Sequence, residues 1–290
     1  MLSIQRILKI PAPMPTAWLI GSCMEARGKQ DLWTRQKPEI LAALREQAII
    51  LSVESSNRIE GVTVASDRLR PIVLGKSKPR DRSEEELAGY RRGLNWIYAQ
   101  KSELRIHSKI IQKLHEMAQG GFSGDAGKWK QRNNEIIEVS PGGERRIRFV
   151  PTPAKETPQA IERLCLAYED LCQQEQVPAL LAVATFVFDF LCIHPFRDGN
   201  GRVSRLLTAL LLQNHGFDVS RYVSLERLVE ETKQDYYEVL GRCSSGWHEG
   251  KNELIPWWNY MLGVLKRAYG EFERRIEGSA ISGKSEIVRQ

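Results

Sequence analysis

From Pro38 onward, apolar positions recur with a helical repeat. Ile40, Leu41, Leu44, Ala48, Leu51 and Ile59 form one stripe, Pro38 suits a first helical turn and Gly61 suits a stop, so one or two helices are expected over 38–61. The charged passage VASDRLRPIVLGKSKPRDR reads as a loose connection. It leads into EEELAGYRRGLNWIYAQ, where Leu87, Tyr90, Leu94 and Ile97 make a second stripe. SELRIHSKIIQKLHEMAQG predicts a further helix with Ser102 as N-cap and Gly120 as stop. The pattern then changes: EIIEVSPGGERRIRFVPTP alternates branched apolar residues around Pro-Gly-Gly, the signature of a short β-hairpin. Helical periodicity returns at Thr157. VPALLAVATFVFDFLCI is apolar on every side and reads as a central buried helix. NGRVSRLLTALLLQNHG, SLERLVEETKQDYYEVLGRCSSG and ELIPWWNYMLGVLKRAYGEFERRIE predict further helices.

The expected fold is mainly α: one compact helical domain with a short β-hairpin and an N-terminal helical extension. Residues 1–36, with three early prolines, read as an irregular arm; 37–100 as an N-terminal helical region; 101–276 as the core. Residues 277–290 read as a C-terminal tail, the entrance to a further segment. There is no internal repeat.

Composition narrows the class. Of 290 residues, 42% are apolar, ordinary for a globular protein with a proper core. The five cysteines are an odd number with no CxxC pair, and most sit in apolar segments, so they read as buried thiols in a reducing compartment. The start lacks a secretory signal. The longest uncharged apolar run, Ala179 to Phe188, is far short of the roughly 18 residues of a membrane span. A cytoplasmic protein without a membrane partner is expected. The net charge of +6 arises from 42 basic residues interleaved with 36 acidic ones, which describes a solvated surface better than a nucleic-acid face.

One stretch carries chemistry: IHPFRDGNGRVSR, residues 193–205. Pro195 stops the buried helix and a new helix begins near Asn200, so His194 lies in a connecting turn above the core. Gly199 and Gly201 let backbone N–H groups approach a ligand, and the helix start adds its positive dipole end, which makes an anion cradle. Arg202 and Arg205 share one side of the first turn and can meet separate phosphate oxygens. Asp198 would repel those phosphates unless a cation sits between them, and Mg²⁺ held by one carboxylate plus phosphates resolves this. His194 is then the nearby side chain suited to accept a proton near neutrality. A base beside a phosphate chain points to phosphoryl or nucleotidyl transfer to a hydroxyl.

HPFRDGNGRVSR matches the Fic signature HPFx(D/E)GNGRxxR at every defined position, and the chain resembles Fic-family proteins over roughly residues 30–270. The resemblance implies transfer of AMP from Mg-ATP to a Ser, Thr or Tyr hydroxyl of a target protein, with release of pyrophosphate. It makes His194 the base and Asp198 the Mg²⁺ carboxylate. It wraps the phosphates with Gly199, Asn200, Gly201, Arg202, Val203, Ser204 and Arg205, with Arg202 at the β- and Arg205 at the γ-phosphate, and leaves Phe196 as a core anchor. The hairpin, residues 135–150, would be a flap that docks the target by main-chain pairing. Tyr236 and Tyr237 would supply an adenine-stacking face.

Some Fic proteins carry an inhibitory motif, (S/T)xxxE(G/N), and SSNRIEG supplies Ser56, Glu60 and Gly61. Ser56 and Glu60 share one helix face and Gly61 ends the helix, so Glu60 would reach Arg205 at the edge of the nucleotide site. AMP removal, or transfer of another phosphate-bearing group, is the alternative in the same site. A nucleic-acid-binding regulator is the alternative from another class, although no DNA binding is expected from residues 1–290 alone. Self-modification and a homodimer are left open by the sequence.

Overall fold

The computed structural model describes residues 2–35, 38–121, 124–139 and 142–287; the side chains of Val139 and of 279–287 fall outside the described set. The fold is mainly α, as the periodicity predicts. A 3-10 turn over Ser3–Lys9 precedes α1 (Met14–Thr34), α2 (Pro38–Ile59), α3 (Ser66–Val73), α4 (Arg82–Tyr98) and α5 (Ser108–Gln119). The hairpin β1 (Ile136–Val139) and β2 (Arg145–Phe149) follows. Then come α6 (Thr157–Gln174), α7 (Ala179–Ile193), α8 (Asn200–Asn214), α9 (Leu225–Glu231), α10 (Lys233–Ser244) and α11 (Ile255–Ile287).

α7 is the axis of the core. Every residue from Leu180 to Ile193 is buried, and α6, α8 and α11 pack around it. Its one ionisable carboxylate, Asp189, is fully buried but well supplied with donors. Ser3 N–H (3.0 Å) and Trp247 Nε1 (2.7 Å) donate to Oδ1, and Ile4 N–H (2.9 Å) donates to Oδ2. Burial raises its pKa, and those donors oppose the rise. Asp189 therefore fastens the chain's first turn to the central helix. Trp257 and Trp258 lock α11 on the same helix, donating to Ala184 O (2.7 Å) and Thr185 Oγ1 (2.8 Å).

α2 and α4 pack with α8, and α2 also lies along α9, so the N-terminal helical region and the core share one apolar cluster running from Leu2 to Ile276. The hairpin is antiparallel, pairing Ile137 with Ile147 and Glu138 with Arg146, with a register shift between Ile136 and Ile137. Of its expected Pro-Gly-Gly turn, Pro141 lies outside the described residues.

Four expectations need correction. Residues 1–36 are not an irregular arm, because α1 packs along α11. Its buried positions are Thr16, Cys23 and Gln30, while Met14 and Trp18 are 80% and 72% exposed. The inward face mixes bonded polar residues, Thr16 to Asn259 and Gln30 to Gly216 and Tyr269, with partly buried Leu19, Ile20, Ala26 and Trp33, so its apolar stripe is broken by polar positions. The helix expected from Ser102 begins at Ser108, with His107 at its N-cap. The side-chain amide of Asn214 accepts from Leu104 N–H (3.2 Å) and donates to Leu104 O (2.9 Å), which holds residues 102–107 out of the helix. The loose passage before α4 contains α3. The tail expected from 277 is a continuation of α11 as far as Ile287.

Replacing Asp189 by Asn would turn an amide NH2 toward at least one of the three N–H donors and leave that donor without an acceptor. We expect a loss of about 1–3 kcal/mol in urea unfolding and faster proteolysis of the N-terminal turn; an unchanged unfolding midpoint would refute this role.

Candidate active site

The loop between α7 and α8 opens with a strained residue. His194 caps α7 in the left-handed region, φ 52° and ψ 62°, with its N–H donating to Phe190 O (2.9 Å). Such a conformation is uncommon outside glycine and costs on the order of 1–3 kcal/mol. The next residues over-determine it. Phe196 is fully buried, stacked on His115 at 3.7 Å and on Trp129 at 5.0 Å. The Asn200 side chain closes a ring around it, accepting from Phe196 N–H and donating to Phe196 O, both at 2.9 Å. Lys130 grips both sides of His194, its N–H on Pro195 O (2.9 Å) and its Nζ on Ile193 O (3.2 Å). Asn134 adds a bond to Phe196 O.

His115 braces the far end. Gly127 N–H donates to its Nδ1 (2.9 Å), so Nε2 carries the hydrogen and donates to Asp198 O (3.0 Å). Burial pushes its pKa down to about 4 and keeps this arrangement neutral. His194 has its Nδ1 3.3 Å from Leu191 O, which favours the hydrogen there and leaves the Nε2 lone pair free. Desolvation, then the nearby Lys130 charge, push the His194 pKa down to about 4, and burial likewise lowers Lys130 to about 8.

At the start of α8, Gly199 has φ 80°, and a side chain there would strike Gln119 Nε2 at 2.7 Å. A Cβ on Gly201 would meet Glu60 Oε1 at 2.1 Å, so the Glu60 carboxylate lies directly on the helix N-terminus. That is where the sequence places an anion cradle. Glu60 follows the last residue of α2, and Gly61, at φ 79°, turns the chain away behind it.

Arg202 and Arg205 diverge. Arg205 is buried and reaches α2: Nε donates to Ser56 Oγ (2.9 Å), and Nη2 donates to Ser56 O (2.9 Å) and Glu60 Oε1 (2.8 Å). Burial, the largest single influence, lowers its pKa, but the charge and hydrogen bond of Glu60 together with Tyr90 and Tyr236 make the net shift upward. Arg202 is buried on the other side, with Nη1 2.8 Å from Glu86 Oε2. The angle of that ion pair falls outside hydrogen-bond geometry, and among the described residues Arg202 Nε has no partner. Asp198 is half-exposed, taking Gly199 N–H on Oδ1 (2.6 Å) and Arg82 Nη2 on Oδ2 (2.6 Å).

A cavity of about 110 Å³ joins His194, Gly201, Arg205 and Glu60 to Tyr236, Tyr237 and the hairpin residues Ile136 and Phe149. The two tyrosine rings meet edge to face at 5.2 Å, Tyr236 buried and Tyr237 partly so, and Arg148 donates to Tyr237 O. Several expected residues are outside this cavity. Val203 points into the core and its N–H is bonded to Gly199 O (3.0 Å), and Ser204 Oγ donates to Gly201 O (2.7 Å). Among the described residues no group of three or more His, Cys, Asp or Glu could hold a metal unaided. Asp198 is a single half-exposed carboxylate, a donor set compatible only with a metal that takes its other ligands from phosphate and water. No described helix is long and apolar enough to cross a membrane.

Sequence reasoning missed His115, Lys130, Asn134, Glu86 and Arg82. His115 and Glu86 lie on ordinary amphipathic helices, where a buried position is the only signal, and the others come from connections or helix starts without a motif.

Residues 103–212 match the Fic/DOC family. The chain is 26% identical over 220 residues to a protein adenylyltransferase Fic of Nematostella vectensis, covering 69% of this chain and 44% of that protein. A Fido domain-containing protein of Dictyostelium discoideum is 33% identical over 101 residues, covering 31% of this chain and 67% of that protein. The crystal structure of a Fic domain containing signaling protein from Bacteroides thetaiotaomicron superposes with a TM-score of 0.74 at 21% identity, covering 89% of this chain and 97% of that one. The chain therefore spans less than half the length of the Nematostella relative and nearly all of the Bacteroides one.

The imidazole of His194 should stay neutral at physiological pH and titrate near pH 4 in a ring-nitrogen NMR titration. A midpoint at the ordinary value of about 6.5 would contradict the packing described.

Proposed function

Because the chain belongs to the Fic/DOC family, we propose that it is an autoinhibited protein adenylyltransferase, moving AMP from Mg-ATP to a Ser, Thr or Tyr hydroxyl of a target protein. The observation that supports this is the neutral His194 beside the N-terminus of α8, where the Glu60 carboxylate already sits, in one cavity with Arg205 and the tyrosine pair.

In the proposed reaction His194 Nε2 takes the proton of the target hydroxyl. The hydroxyl oxygen bonds to the α-phosphorus, the bond to the bridging oxygen breaks, and its electron pair leaves with pyrophosphate. A base with its pKa held near 4 is a weak proton acceptor but is unprotonated throughout the neutral range. The N–H groups that open α8, at Asn200, Gly201 and Arg202, receive phosphate oxygens; the Asn200 side chain is committed to Phe196 and adds none. Asp198 would hold Mg²⁺, which neutralises charge on the α- and β-phosphates. Tyr236 and Tyr237 offer the adenine an aromatic wall. On the hairpin, residues 135–150, the paired Ile137 and Ile147 are exposed to an incoming target strand.

Glu60 supplies the restraint. Its carboxylate covers Gly201 and holds Arg205, so it competes with the triphosphate for both the helix N-terminus and the guanidinium. A partly buried, charge-assisted bond is worth about 1.5–3 kcal/mol, or roughly ten- to a hundred-fold in productive occupancy.

We expect ATP labelled at the α-phosphate, with Mg²⁺, to label the chain itself slowly, about ten- to a hundred-fold faster in Glu60→Gly, and not at all in His194→Ala. Equal rates in Glu60→Gly and the parent chain would remove the autoinhibition. Label arriving from the γ-phosphate, or loss of AMP from a pre-modified protein without any gain, would replace AMP transfer with the kinase-like or AMP-removing reading.

A further inference from the structure

Asp198 is already engaged. Arg82, at the start of α4, donates through Nη2 to Asp198 Oδ2 (2.6 Å) and through Nε to Glu86 Oε1 (2.8 Å). Glu86 is buried and turns its other oxygen to Arg202 Nη1 (2.8 Å), and Arg202 Nη2 lies 3.9 Å from Asp198 Oδ1. Two guanidinium groups and two carboxylates thus alternate around a closed ring. Its lower half, Glu86 and Arg202, is sealed in the protein; its upper half, Arg82 and Asp198, is 57% and 49% exposed at the side chain. One half is fixed and the other can open.

We propose that Arg82 is the resident counter-cation of Asp198, held in place by Glu86, and that a divalent cation arriving with nucleotide has to displace it. This rests on the reading of Asp198 as the metal carboxylate. A cation bonded to Asp198 Oδ2 would stand only a few ångströms from the Arg82 guanidinium, where like charges repel. Arg82 can yield at small cost, because its exposed bond to Asp198 is the weak kind of ion pair and its bond to buried Glu86 tethers it nearby. Arg82 is therefore a positioning residue that sets the affinity for the metal. Among the described ionisable side chains, Arg82 and Arg202 are those ion-paired with Asp198. Arg202 cannot withdraw, since leaving Glu86 would strand a buried charge on each side.

The test measures Mn²⁺ binding directly, by water-proton relaxation enhancement, on the full chain carrying Glu60→Gly with a non-hydrolysable ATP analogue present. Arg82→Gln should tighten Mn²⁺ about two- to five-fold, Arg82→Lys should tighten it less, and added salt should narrow the difference from the Arg82 chain. Asp198→Ala should weaken Mn²⁺ binding. If Asp198→Ala weakens Mn²⁺ binding while Arg82→Gln leaves it unchanged or weaker, the role of Arg82 is overturned and the metal reading stands. If Asp198→Ala leaves binding unchanged, the metal reading fails first and this inference with it.

Discussion

Everything at the site depends on holding His194 in a left-handed turn at the end of an apolar helix. The backbone would not choose that conformation alone. It persists because a buried phenylalanine two residues later is clamped by one asparagine side chain, stacked on His115, and approached by a buried lysine that holds carbonyls on both sides of the histidine. The same packing partly desolvates the imidazole and brings the Lys130 charge near it, and both lower its pKa. Position and protonation state thus have one cause.

A loop built to receive opposite charges must satisfy its own polar groups when none are bound. The geometry shows how this is done. The open end of α8 meets the Glu60 carboxylate, Arg205 meets Ser56 and Glu60, and Asp198 meets Arg82. The charged partners, Glu60 and Arg82, have the charge of the ligand group that the proposed chemistry would bring to the same place. The internal partners come from α2, the residue just after it, and α4, in the N-terminal helical region, so the proposed restraint and the proposed chemistry would share an interface across one continuous core.

Much of this was legible in the chain. The amphipathic stripes of α2 and α4, the all-apolar α7 and the alternation in the hairpin follow from the side chains a buried surface requires, and the dense set of residues 194–205 singled out the loop between α7 and α8. The pairing of Glu60 with Arg205 was anticipated from the resemblance of SSNRIEG to an inhibitory motif, with the glycine-ended helix presenting the acid at its tip. α1 was missed because Thr16 and Gln30 interrupt its inward apolar positions and prolines precede it, and the start of α5 was misplaced because Asn214, far along the chain, holds Leu104 out of the helix.

The sequence by itself determined which residues could do chemistry, since spacing along a turn and a helix start is local. Only the tertiary structure decided which of them share a cavity. Arg202 and Arg205, three apart on one helix, look equivalent in sequence, yet the carboxylates packed against them differ. Glu86 draws one beneath the loop and Glu60 keeps the other at its mouth. A buried guanidinium goes where a counter-charge is held, and helices remote in sequence set that place.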